Sequence, residues 1–390
     1  MKHGIAESMH ITKLLFIFGT RPDAVKMAPL ILKARGDTSF DARICVTGQH
    51  DEMLYQVLDF FGIKPDYDLN IMCPDQSLYD VTANILKALE EVITRESPLV
   101  AIVQGDTTTA FIGALASYYQ KIPVAHVEAG LRSHNMYSPF PEEMNRVLVG
   151  HIAAYHFAPT LRAKENLLAE GKSTHNIYVV GNTGIDALFM TLELIKERDN
   201  EFKSYFDYID FDKRIILVTG HRRESFGEPF REICLSLREI ASRPDVEIVY
   251  PVHLNPNVRK PVFDILTGID NIHLIEPLEY PYLIWLMNRC FCALTDSGGI
   301  QEEAPSLGKP VLVMRDVTER MEGIEAGICK LVGTHKETIV KETVRLLDDS
   351  PLYEQMAKAI NPYGDGRSSV RILEILNRKI AGTNISASKE

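Results

Sequence analysis

Three carboxylates stand where strand-like runs give way to helix-like ones: Asp106 after Val100-Ala101-Ile102-Val103-Gln104-Gly105, Glu128 after Val124-Ala125-His126-Val127, and Glu142 in Pro139-Phe140-Pro141-Glu142-Glu143. Acids at the ends of neighbouring strands open toward one cleft. Crowded carboxylates raise one another's pKa, which suits a group that must hold and release a proton near neutral pH. Arg146 follows Glu142 by one helical turn, a spacing that permits an ion pair. Glu143 has the weaker claim to chemistry. Elsewhere, Phe16-Ile17-Phe18-Gly19-Thr20-Arg21-Pro22 reads as a strand that turns at glycine into a helix carrying Lys26. Arg21 and Lys26 then flank a helix N-terminus, whose amides and dipole attract anions. His221, Arg222 and Arg223 follow Gly220 as a donor-rich loop. The sharpest local signal is Thr295-Asp296-Ser297-Gly298-Gly299-Ile300-Gln301-Glu302-Glu303. Its glycine turn lets backbone amides reach a pyrophosphate, and a carboxylate one turn further suits ribose hydroxyls. Taken singly, each of these residues also has an ordinary reading as a helix cap, a tight turn or a solvated cation.

The elements that must position these groups repeat a βα grammar. Apolar runs at 14–18, 42–46, 100–103, 124–127, 155–157 and 177–180 form one series, and 215–218, 247–251, 272–275, 292–294 and 311–313 a second. Such runs alternating with amphipathic stretches predict parallel sheets. The fold class is therefore α/β, with two Rossmann-like doubly wound domains facing a cleft. The expected domains are 11–181, joined by a closing helix at 366–380, and 182–365, divided at Gly181-Asn182-Thr183-Gly184.

Composition excludes several classes. The chain has 390 residues, with 42 Lys and Arg against 53 Asp and Glu and a net charge of −11, which is not the footprint of a nucleic-acid binder. Its apolar runs fall far short of the roughly 20 residues that span a bilayer, so no membrane association is expected. The polar start, with His3, Glu7 and His10, lacks a signal-peptide core, and a cytoplasmic location is expected. Six scattered cysteines show no metal-type or redox-type pairing and read as reduced and buried. His126, His151, His156 and His253 lack metal-ligand spacing, so no metal is expected. Without G-x-G-x-x-G or a P-loop, dinucleotide binding is disfavoured.

Taken in order, Phe18-Gly19-Thr20-Arg21-Pro22, Gln104-Gly105-Asp106-Thr107-Thr108-Thr109, His126-Val127-Glu128-Ala129-Gly130-Leu131-Arg132, Thr219-Gly220-His221-Arg222-Arg223-Glu224-Ser225 and the block from Asp296 to Pro310 resemble the bacterial non-hydrolysing UDP-N-acetylglucosamine 2-epimerases. The resemblance runs from about Lys13 to Ile380. It implies a glycosyltransferase-B-type fold and a cytosolic homodimer that supplies UDP-N-acetylmannosamine for surface polysaccharide. It also implies epimerisation at carbon 2 of UDP-N-acetylglucosamine by elimination and re-addition of UDP through 2-acetamidoglucal, with no cofactor. It puts Asp106, Glu128 and Glu142 at the sugar as acid/base candidates. Arg21, Lys26, Arg146 and His221 would stabilise substrate and the departing pyrophosphate, Ser297, Gly298 and Gly299 would hold phosphate, and Glu303 the ribose, with Arg320 nearby. For a second, activating UDP-N-acetylglucosamine, the matching positions are Gln49, His50, Gln76, Arg222 and His253. Glu52 and Asp75 stand where activated relatives can carry Gln and Arg, which blunts activation. Two departures concern the base: Met321-Glu322-Gly323 replaces a proline-containing loop, and Leu283 sits where some relatives have an aromatic. The competing readings are a hydrolysing epimerase, a UDP-sugar glycosyltransferase of the same fold, and a non-catalytic nucleotide-sugar sensor.

Overall fold

The computed structural model describes residues 11–48, 51–71 and 76–387. The chain divides into two units, Met1–Ala187 with Gly366–Glu390, and Leu188–Asp365. The division lies six residues beyond the Gly181 turn, inside the helix Thr183–Ile195, which continues across it.

The first unit holds strands β1 (Thr12–Phe18), β2 (Phe40–Val46), β3 (Tyr67–Asp68), β4 (Val100–Gln104), β5 (Val124–Val127), β6 (Tyr155–Ala158) and β7 (Ile177–Val179). They form one sheet in the order β3-β2-β1-β4-β5-β6-β7, and each neighbouring pair is parallel. The second unit holds β8 (Arg214–Thr219), β9 (Val246–Pro251), β10 (Ile272–Ile275), β11 (Cys292–Thr295), β12 (Val311–Val313) and β13 (Cys329–Leu331). Its order is β10-β9-β8-β11-β12-β13, again parallel throughout. Both sheets are doubly wound, with strand order reversing beside β1 and β4 in one and beside β8 and β11 in the other. Ligands of such sheets bind outside the carboxyl ends of the strands at that reversal.

Local sequence explains the elements. Leu14 to Phe18 are all essentially buried, as expected for a strand covered on both faces. The helix Arg21–Arg35 starts with a capping box in which the Thr20 hydroxyl accepts from the Asp23 amide and the Asp23 carboxylate accepts from the Thr20 amide. Ser77 and Asp80 repeat the device for the helix Leu78–Glu96. The closing helix Ser368–Ala387 is capped from a distance: the Ser368 and Ser369 amides donate to the Asp186 carboxylate at 3.1 and 2.8 Å. Two strands were not visible as apolar runs, β3 with two residues and β13 with three. Cys45, Cys234, Cys290, Cys292 and Cys329 are free and buried, and Cys73 lies outside the described residues. Among the described residues no helix is long and apolar enough to cross a membrane.

Gly130 shows how tightly the turn after β5 is packed. Its φ is +89°, and a Cβ there would sit 2.2 Å from the Ala163 carbonyl oxygen. Gly171 also has positive φ, at +77°, but a Cβ would meet nothing within 4 Å. Gly171→Ala is therefore expected to cost about 1 kcal/mol from backbone strain alone. Gly130→Ala should cost about 2–4 kcal/mol, because the helix carrying Ala163 must also move. Urea unfolding of the two variants checks this, and equal losses would contradict it.

Candidate active site

In the first unit the carboxyl ends of β1, β4 and β5 bring their charged residues together. Glu128 follows β5 with φ +63°, a left-handed conformation that a residue with a side chain adopts at a cost. Groups from three other elements hold its carboxylate. Lys26 Nζ, from the helix after β1, pairs with Oε1. Gln104 Nε2, from the end of β4, donates to Oε2 at 2.8 Å, and Asn182 Nδ2 donates to Oε1 at 3.3 Å. Asp106, two residues beyond β4, pairs with Arg146 at 2.5 Å, and Asn145 Nδ2 donates to its backbone carbonyl at 2.8 Å. Burial raises the Asp106 pKa from its ordinary value; the Arg146 charge opposes this and that of Glu128 reinforces it. Burial is thus a larger cause than the mutual repulsion inferred from sequence.

The adjacent acids Glu142 and Glu143 divide their roles. Glu143 is buried and accepts from the Ser133 and His134 amides, each at 3.0 Å, and from Arg146 Nη1 at 3.0 Å. It ties the 132–141 loop to the helix Glu142–Ile152. Glu142 Oε2 is buried without a hydrogen-bond partner. The spacing that permits a Glu142–Arg146 pair is not used that way: Arg146 pairs with Asp106 and Glu143. Lys26, expected to face an anion, instead pairs with Glu128, and Arg21 Nη1 donates to Met53 Sδ at 3.7 Å.

Sequence reasoning missed Asp23. Its carboxylate, besides capping its own helix, accepts from the Thr107 hydroxyl at 3.3 Å. Burial raises its pKa to about 7, with the Asp106 charge adding and the Thr20 hydrogen bond opposing. A cap carboxylate is ordinary in sequence; its burial beneath the Asp106 turn is not visible there. His126 is also structural. Its Nε2 lies 2.8 Å from the Gly105 carbonyl, and burial lowers its pKa to about 3, so the ring is neutral. Among the described residues no His, Cys, Asp and Glu cluster could hold a metal ion.

In the second unit the ends of β8 and β11 carry the anion-binding candidates. The helix Gly298–Ser306 begins after Ser297, whose amide donates to Thr295 Oγ1 at 2.9 Å. That leaves the Gly298 and Gly299 amides and the Ser297 hydroxyl as the phosphate-binding candidates of this turn. Arg320 lies directly over it. A Cβ on Gly298 would come within 2.4 Å of the Arg320 guanidinium carbon, so a side chain there would push that guanidinium aside. Glu302 accepts from Arg320 Nε at 2.8 Å, and Glu319 pairs with the same guanidinium. Burial would raise the Glu319 pKa, yet Arg320 and Arg315 bring it down to about 2. Glu303 Oε1 accepts from the hydroxyl of Tyr280, a residue that no local motif singled out, at 3.0 Å. His221 stacks on His253, with ring centroids 5.2 Å apart and planes 11° from parallel. Of the second-site candidates, Arg222 and His253 therefore adjoin His221, Gln76 Nε2 donates to the Ile71 carbonyl at 2.9 Å, and Gln49 and His50 lie outside the described residues.

Two doubly wound parallel sheets, one carrying carboxylates at its strand ends and the other a glycine turn beside a basic loop, define the glycosyltransferase-B-type class of α/β proteins. A sucrose-phosphate synthase from Thermosynechococcus elongatus shares that fold at a TM-score of 0.64 and 11% identity, covering 95% of this chain and all of its own. The UDP-N-acetylglucosamine 2-epimerase family model matches residues 32–377. A UDP-N-acetylglucosamine 2-epimerase of Campylobacter jejuni is 54% identical over 376 residues, covering 94% of this chain and 97% of its own. The crystal structure of UDP-GlcNAc 2-epimerase from Neisseria meningitidis bound to UDP-GlcNAc matches at a TM-score of 0.89 and 49% identity, covering 94% of this chain and all of its own. The chain belongs to the UDP-N-acetylglucosamine 2-epimerase family, and is an isomerase.

The Asp23 environment generates a stability prediction. A carboxyl kept protonated in the folded chain contributes stability that is fully present below its ordinary value of 3.8 and is lost as pH rises through about 7. Asp23→Asn removes the titrating group and keeps an acceptor oxygen for the cap. Relative to this variant, the wild-type unfolding free energy should fall by on the order of 1–3 kcal/mol between pH 4 and pH 8. Urea unfolding of both chains across that window measures it; parallel curves would contradict it.

Proposed function

We propose that this chain interconverts UDP-N-acetylglucosamine and UDP-N-acetylmannosamine by eliminating UDP to leave 2-acetamidoglucal and adding it back. The grouping of Asp106 and Glu128 beyond β4 and β5, paired with Arg146 and Lys26, with Glu142 one turn before Arg146 and keeping a buried oxygen without a partner, supports this reading. Inverting carbon 2 requires its C–H bond to break, and on an intact sugar that proton is not acidic. Elimination makes its removal feasible. A carboxylate takes the proton, the C–H electron pair becomes the C1=C2 bond, and the C1–O bond breaks with its electrons leaving on UDP. In the return step a proton is delivered to the other face of carbon 2 and UDP adds to carbon 1.

Two faces need two groups in different protonation states. Asp106, whose pKa burial raises, is suited to carry a proton. Glu128 accepts from Lys26, Gln104 and Asn182, a donor set that an ionised carboxylate satisfies. Glu142 contributes an oxygen with no partner in the protein, suited to a sugar hydroxyl or the migrating proton. His221, Arg320, Ser297 and the Gly298 and Gly299 amides supply positive potential for the charge that develops on the departing pyrophosphate. Glu303 with Tyr280 suits the ribose hydroxyls. A hydrolysing epimerase would use the same acids and would accumulate UDP and free N-acetylmannosamine.

Asp106→Asn, Glu128→Gln and Glu142→Gln should each lower turnover by at least about 100-fold while keeping the thermal midpoint, since each swap is nearly isosteric. A variant stalled after elimination should release UDP and 2-acetamidoglucal. His221→Asn should slow C1–O cleavage in particular. Assays of UDP-N-acetylglucosamine turnover by NMR check all four, and near-native rates in the three acid variants together would overturn the assignment.

A further inference from the structure

Asp296 ends β11 and is 1% exposed. Its Oδ2 accepts from the backbone amides of His221 and Arg222 at 2.7 and 2.8 Å, so one carboxylate oxygen fixes the loop that follows β8. Hydrogen bonds tie the strand ends around it together. The Asp296 amide donates to the Thr219 carbonyl at 3.2 Å, the Thr219 and Thr295 hydroxyls lie 2.5 Å apart, and the buried Tyr250 hydroxyl donates to the Gly220 carbonyl at 3.0 Å. The other oxygen, Oδ1, is buried without a hydrogen-bond partner. A buried carboxylate oxygen in that condition is costly unless a donor or cation faces it. The group that faces it is His221 Nδ1, 3.5 Å away.

We propose that Asp296 is a positioning residue for His221, setting its loop through Oδ2 and fixing its imidazole through Oδ1, so that Nδ1 carries the proton of the neutral ring and Nε2 is the nitrogen turned to the leaving group. This rests on the elimination reading for His221 as a group that stabilises the departing pyrophosphate. Four influences meet at the ring. Burial disfavours its charged form, the Asp296 charge favours it, and stacked His253 and nearby Arg222 disfavour it. Burial leaves the resting ring on the neutral side, with Nε2 unprotonated; Asp296 is the counter-charge that lets the half-exposed ring take a proton from solvent at Nε2 and hold that Nε2–H toward the negative charge developing on UDP, while Nδ1–H stays on Asp296. Carboxylate and imidazole act here as a unit that neither half replaces.

The test is a comparison of wild type, Asp296→Asn, His221→Asn and the double variant. Asn keeps an acceptor for the two amides but removes the charge. In Asp296→Asn, kcat should fall by about 10- to 100-fold with KM little changed, as for loss of a contact that matters only in the transition state. The double variant should be no slower than His221→Asn alone. The titration of the His221 ring, assigned by its loss in His221→Asn, should move to lower pH in Asp296→Asn. Wild-type nitrogen-15 spectra, with the ring assigned in the same way, give a readout that does not depend on Asp296→Asn folding or on any substrate: the neutral His221 ring should carry its proton on Nδ1. An Nε2–H tautomer, an unchanged His221 titration, or an Asp296→Asn penalty that persists undiminished without His221 would overturn the proposal. Failure of wild type to epimerise UDP-N-acetylglucosamine would overturn the elimination reading and leave the tautomer result standing.

Discussion

Carboxylates buried at the ends of parallel strands are the constraint from which the rest of this structure follows. An ionised acid taken out of water is unfavourable by several kcal/mol unless a cation or donors meet it. Parallel strands bring such acids into the same place, because every strand ends on the same side. The first unit meets the requirement with Lys26 for Glu128 and Arg146 for Asp106, each cation supplied by a helix rather than by the strand that bears the acid. The second unit meets it with backbone amides for Asp296 and guanidinium groups for Glu302 and Glu319. Where a carboxyl has less support, as at Asp23, burial pushes it toward the protonated form. Proton-carrying capacity is therefore a by-product of how the fold handles buried acids, and the proposed elimination draws on it.

The same constraint separates neighbouring acids by what engages them. Glu143 and Glu142 are neighbours in sequence, yet two amides and Arg146 fully engage the first while the second keeps an oxygen without a protein partner. Glu302 and Glu303 repeat the contrast. Glu302 is committed to Arg320, whereas Glu303 meets a tyrosine hydroxyl, a partner that a ribose hydroxyl resembles chemically. In both pairs the helix turn decides which acid faces inward.

Much of this was legible in the sequence, for identifiable reasons. Strands covered on both faces read as unbroken apolar runs, so β1, β4, β8 and β11 are plain, and the residues that end them fall at the sheet's carboxyl edge without further assumption. Strands β3 and β13 escaped because two or three residues carry no periodicity. The partners were harder than the positions. Arg146 sits one turn from Glu142, which invites a local pair, but its guanidinium reaches Asp106 from a different element. Asn182 reads as part of a linker and proves to donate to Glu128. Asp23, the third residue of its helix and partner of the Thr20 cap, carries no signal in the sequence, and only the packing of the Thr107 turn against it shows that it is a buried neighbour of Asp106. Sequence marks where chemistry-bearing residues lie along the chain; which of them touch depends on helix rotation and loop packing.

The central claim is that carbon 2 loses its proton to a protein carboxylate while UDP departs. The most direct measurement follows hydrogen at carbon 2 by proton NMR when the enzyme acts on UDP-N-acetylglucosamine in deuterated water without added nicotinamide. An oxidoreductase route through carbon 3 could also exchange that position, so cofactor independence must accompany the label. The account predicts deuterium at carbon 2 of both epimers with no cofactor added. Retention of the original hydrogen through epimerisation, or a requirement for added NAD, would contradict it.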